Sequence, residues 1–101
     1  MEVQTAYGIC KNVDIDHLKE YGGVRSDTAS FMFSDFIIKA TDDGYYLFFG
    51  FEVWRDKGDE FHFFVEEGFT DGSADTYDAG ISRADAEEIK KIYYEYMSRR
   101  K

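Results

Sequence analysis

The sequence predicts an α+β fold: an antiparallel sheet of three to four strands, with a C-terminal helix and a short N-terminal helix packed on one face. Three features of the 101 residues point there. Residues 31–66 form a meander of aromatic and branched runs separated by the turns TDDG and RDKGDE. Residues 82–99 carry the clearest amphipathic helical spacing in the chain. The length suits a single domain, 1–101, without linker or internal repeat.

In chain order, EVQTAYGICK alternates with Val3, Thr5, Tyr7 and Ile9 on one side, a strand pattern. In NVDIDHLKEYGG, Asn12 or Asp14 can cap a helix of about two turns. Its buried side would hold Ile15, Leu18 and Tyr21, with Gly22 as its stop. Residues 24–30 are polar and read as a loop.

The central hairpin, YYLFFGFEVWRDKGDEFHFFVEE, has a register that follows from its turn. A loop at Asp56, Lys57 and Gly58 pairs Val53 with Phe61, Phe51 with Phe63 and Phe49 with Val65, all six on the core side. A two-residue loop at Asp42 and Asp43 adds Met32, Ser34, Phe36 and Ile38 to that side. The alternative loop would bury Asp35 and Lys39, at the cost of two unpaired charges. The opposite face is then expected to carry Phe31, Phe33, Asp35, Ile37, Tyr46, Phe48, Glu52, Trp54, Glu60, His62, Phe64 and Glu66. A solvated sheet face should be more uniformly polar, so a covering element or a partner is expected there. Residues 74–78 read as an edge strand. In the last helix Ser82 is the N-cap, and Ile89, Ile92, Tyr93, Tyr96 and Met97 form the apolar stripe that should cross the core face of the sheet.

With 44% hydrophobic and 19% aromatic residues the composition is that of a folded domain despite a net charge of −9. A basic start followed by an apolar run is lacking, as is any apolar stretch of bilayer length, so a cytoplasmic protein without membrane association is expected. Cys10 is the single cysteine, which excludes an intrachain disulfide. The charge is not spread evenly. From Asp59 to Glu88 ten acidic residues face Arg83 alone, and the rest of the chain is neutral overall. Such a block repels nucleic acid and attracts basic surfaces.

The chemistry-bearing residues do not form recognisable catalytic or metal motifs. His17 and His62 are far apart, without HxxxH or HExxH spacing, so no metal is expected. His62 should lie across the hairpin from Glu52, a pair able to act as base and orienter but more simply a cross-strand ion pair. DGSADTYD spaces its carboxylates somewhat like a calcium loop, yet Thr76 and Ser82 stand where an EF-hand needs Gly and Glu. Glycine-rich phosphate loops are absent, and no cofactor is expected. Asp85, Glu87 and Glu88 complement the positive end of the last helix dipole, as Arg99 and Arg100 complement the negative end. The remaining acids have no such local purpose.

Carboxylates held on a rigid sheet among exposed aromatics suit a partner surface built to hold phosphates. The expected partner-binding residues are Glu52, Trp54, Asp59, Glu60, Phe64, Glu66, Glu67, Asp71, Asp75 and Asp78. In size and composition the chain resembles the small acidic inhibitors of phages and mobile elements, such as anti-CRISPR proteins, and the acidic immunity proteins of nuclease toxins. That resemblance implies a non-enzymatic inhibitor or adaptor acting by nucleic-acid mimicry on a basic, nucleic-acid-binding protein, without direct nucleic-acid binding. The alternative is a structural subunit that forms a homodimer through its aromatic face. A small enzyme using Glu52 and His62 is the third reading.

Overall fold

The computed structural model describes residues 1–22 and 30–100. It is α+β. Strands β1 (Val3–Thr5) and β2 (Gly8–Cys10) form a small hairpin. Five further strands form one antiparallel sheet in sequential order: β3 (Glu20–Gly22), β4 (Ser30–Ala40), β5 (Tyr46–Trp54), β6 (Glu60–Gly68) and β7 (Ala74–Asp78). Helix α1 (Arg83–Arg99) follows.

The central hairpin has the expected register, with Val53, Phe51 and Phe49 opposite Phe61, Phe63 and Val65. Phe49, Phe51, Val53 and Val65 are fully buried, and Phe61 and Phe63 pack against them. Helix α1 lies across this face. Tyr93 meets Phe33 and Phe61 edge-on at 5.8 and 5.3 Å between ring centroids, and Ile89 is buried one turn earlier. Ser82 caps the helix as expected, its Oγ accepting from the Asp85 amide at 3.1 Å. Val3, Cys10 and Val13 complete the core from the N-terminal side.

Four expectations are corrected. The first ten residues are not one strand: the chain turns back at Ala6 and Tyr7, which buries Val3, Thr5 and Cys10 but leaves Tyr7 and Ile9 exposed. The short N-terminal helix is a single 3₁₀ turn over Ile15–His17. Asp14 caps it, accepting from the amides of Asp16 and His17. Residues 20–22, expected at the helix end, instead pair with β4 as a fifth strand, because pairing satisfies backbone groups at the edge of a long neighbour. Of the expected loop over 24–30, Ser30 opens β4, and 24–29 lie outside the described residues.

The fourth correction concerns β4. The β4–β5 loop is not the expected two-residue loop at Asp42 and Asp43 but the three-residue one, Asp42 to Gly44, closed by the Thr41 amide donating to the Tyr45 carbonyl. Ala40 pairs with Tyr46 and Lys39 with Leu47, yet farther from the loop Phe36 pairs with Phe49 and Phe33 with Phe51. Two irregularities shift the register by one residue each, one between Phe33 and Phe36, where Asp35 adopts φ 72°, and one between Ile37 and Lys39. An extra residue in one strand reverses which side chains point inward beyond it. Phe36 and Ile38 therefore face the core as expected. Phe31 and Phe33 also face it, in place of Met32 and Ser34. The bulge brings four apolar residues of β4 to one side, which no uniform register could do.

Candidate functional site

The face of the sheet opposite α1 is built from the alternate residues of each strand. Strand β6 contributes Glu60, His62, Phe64 and Glu66, roughly 6.7 Å apart along the strand. Strand β5 contributes Phe48, Glu52 and Trp54, and β4 contributes Met32 and Ile37. Asp78 lies opposite Phe64 on β7. The hairpin and α1 place their buried residues on the other side, in the core, where Val13 and Leu18, flanking the 3₁₀ turn at 15–17, also pack. None of these elements covers this outer face.

Two glycines shape the surface. A side chain on Gly50 would meet the Phe64 ring at 2.6 Å and the Phe33 carbonyl at 2.8 Å, because the Phe64 ring lies flat across the backbone there. Gly68 is overlaid in the same way by the ring of Tyr46. An aromatic ring folded over a cross-strand glycine shields bare backbone from water and smooths the face. Tyr46 also stacks on Phe48 at 4.4 Å, and Trp54 lies over the His62 ring at 4.2 Å. Ile37 is 59% exposed.

The carboxylates around these rings are positioned. Glu66 accepts from the Tyr46 hydroxyl at 2.9 Å, and this bond raises the Tyr46 pKa above its ordinary value. Glu60 pairs with His62 Nε2 at 2.8 Å. Asp78 accepts from the Gly80 amide at 2.8 Å. Asp35 accepts from the Tyr21 hydroxyl at the margin.

Of the ten residues expected to bind a partner, the fold brings six together here: Glu52, Trp54, Glu60, Phe64, Glu66 and Asp78. The other four lie elsewhere. Asp59, held at φ 60°, pairs with Arg55 at 3.3 Å and accepts from the Tyr94 hydroxyl of α1. Glu67 and Asp75 face each other on the core side of the sheet, where Glu67 accepts from the Tyr45 hydroxyl at 2.8 Å. Asp71 closes the β6–β7 turn by accepting from the amide and hydroxyl of Ser73. Acids adjacent in sequence are thus divided by the two-residue period of the strand. Met32 belongs to the outer face and was missed; only the bulge reveals it.

The catalytic possibility raised by Glu52 and His62 meets a geometric qualification. The two are opposite in register, as expected, yet the partner of the His62 ring is Glu60, two residues away on its own strand. A cavity of about 390 Å³ beside the end of β7 is lined in part by His62, Asp78, Ser82 and Arg83. Ser82 caps α1 and Asp78 closes a turn, so each of these oxygens already serves the backbone. Among the described residues no three His, Cys, Asp or Glu side chains gather as metal ligands. No described helix is long and apolar enough to cross a membrane.

Fold and surface together define a small α+β domain with one face of its sheet under a helix and the other presenting aromatic rings among carboxylates. Comparison with protein-family models, curated proteins and solved structures finds no match to the chain.

Proposed function

We propose that this protein is a non-enzymatic inhibitor or adaptor that docks the outer face of its sheet on a basic, nucleic-acid-binding protein. Carboxylates stand where the partner holds backbone phosphates. The supporting observation is the outer face itself, on which Glu52, Glu60, Glu66 and Asp78 surround Phe48, Trp54 and Phe64 without a covering element among those described. Flat rings supply buried contact area and the acids supply steering and register. Because Glu66 and Glu60 are already held by Tyr46 and His62, less side-chain freedom is lost on docking.

The test is capture of the partner followed by competition. Binding should weaken steeply with added salt, should be displaced by duplex or single-stranded nucleic acid, and should be lost in the double variant Glu60→Lys, Glu66→Lys. A complex that resists salt, ignores nucleic acid, or survives the charge reversals overturns the proposal. A second reading, self-association through the same face, is favoured by the exposure of Ile37 beside Phe48.

A further inference from the structure

A second surface lies away from the outer face, at the free edge of the sheet. Strand β7 is the edge strand, and all five of its residues are exposed. On the core side of this edge Tyr7, from the turn of the β1–β2 hairpin, stacks on Tyr77 at 5.5 Å, although the two rings are 46% and 38% exposed. Phe69, 37% exposed, packs edge-on against Tyr45 at 6.1 Å. Between the two ring pairs lie Glu67 and Asp75, directly opposite each other across β6 and β7. Like charges in that position repel. No basic side chain among the described residues pairs with either carboxylate. Lys39, whose ammonium stands 5.8 Å from the Tyr45 ring centroid, shows how a cation sits on these rings.

We infer that this edge is a separate recognition site for an extended, arginine-bearing segment of a basic protein, which adds as a strand along β7. Strand addition uses the backbone groups that β7 leaves free. Alternate side chains of an added strand fall on one face, here beside Asp75 and Tyr77. A guanidinium fits the pattern because it stacks on a tyrosine ring while donating two parallel bonds to a carboxylate. A second copy of this chain fits poorly, since it would set Asp75 and Asp78 against their own kind. The site does not depend on the outer face and stands or falls without it.

The experiment is amide chemical-shift mapping of the whole protein with a capped Arg-Gly-Arg-Gly-Arg peptide and its lysine counterpart. Shifts are expected at Tyr7, Glu67, Phe69, Asp75 and Tyr77. The arginine peptide should bind tighter by about threefold or more, the scale of an exposed cation–ring contact. Asp75→Asn, which keeps the shape of the side chain, should weaken binding, whereas the double variant Glu60→Gln, Glu66→Gln should leave it intact. Shifts centred on the outer face, shifts spread evenly over all the acids, equal affinity for the two peptides, or no shifts at all would each overturn the inference.

Discussion

Gly50 shows how much of the surface rests on single positions. It lies in the middle of the most apolar strand, where glycine is normally unfavourable for want of a side chain to pack. Here the space belongs to Phe64, and a Cβ would also press on the Phe33 carbonyl. Gly50→Ala should therefore cost about 1–3 kcal/mol, the usual range for overpacking a filled site. It should also lift the Phe64 ring from the backbone. Denaturant unfolding checks the first effect and the Phe64 ring proton shifts the second; an unchanged midpoint would show that the ring yields freely. The residue type was visible in the sequence, but its purpose was not, because it depends on a partner 14 positions away. Asp35 is similar: an aspartate in a strand gives no sign that it adopts positive φ and reverses the facing of Phe31 and Phe33.

Between elements, the recurrent linkage is a tyrosine hydroxyl donated to a carboxylate. Tyr94 reaches Asp59 and Tyr96 reaches Glu20, fastening α1 to the β5–β6 turn and to β3. Tyr45 and Tyr46 hold Glu67 and Glu66 at the far end of the sheet. The pKa values of all four tyrosines are raised: by the carboxylate bond first at Tyr45 and Tyr46, and by burial first, then the bond, at Tyr94 and Tyr96. Each of these tyrosines is more readily kept neutral in the folded chain than in the unfolded one. Their contribution to stability is thus fully present below the unfolded tyrosine value, about 10, and is lost as pH rises through the higher folded values. Unfolding measurements should show stability falling above that pH. In Glu66→Gln the ultraviolet titration of one tyrosine should move down toward the ordinary range; a profile indifferent to alkali or to that substitution would contradict the account. The strands of the meander, the β5–β6 turn and the helix cap were legible in the sequence because each is a local pattern, whereas the β1–β2 hairpin and the length of the β4–β5 loop were misread. The 3₁₀ turn and β3 were not legible either, since Glu20–Gly22 becomes a strand only by lying beside β4.

For the whole molecule, part of the acidic excess behind the net charge of −9 lies on two surfaces that differ in what they offer. One is broad and flat, with aromatics among Glu52, Glu60, Glu66 and Asp78; the other is the narrower edge at Tyr77 and Asp75. Mutual repulsion of these acids opposes self-association, while the half-buried rings and exposed Ile37 of the outer face favour it. On the proposed function the purified protein should sediment as a monomer at low salt. A tight dimer that dissociates on Ile37→Lys would favour the self-associating reading instead. The acidic run from Asp59 to Asp78 looked like one block along the chain. In space Glu66 and Glu67 are neighbours on opposite faces.

By itself the sequence determined the α+β class, the meander with its central register, the capped C-terminal helix and the excess of acid in one stretch. These follow from short-range rules: the two-residue period of strands, the 3.6-residue period of helices, and turn chemistry. Tertiary structure alone decided which side of the sheet Phe31 and Phe33 occupy, that Glu20–Gly22 is a strand, and that Asp78 joins the outer face opposite Phe64 while Asp75 stands against Glu67. The physical reason for the first is that each bulge reverses inward and outward for the stretch beyond it, and β4 carries two register shifts. That choice was made by the packing of four apolar β4 residues against the core, which no local segment specifies.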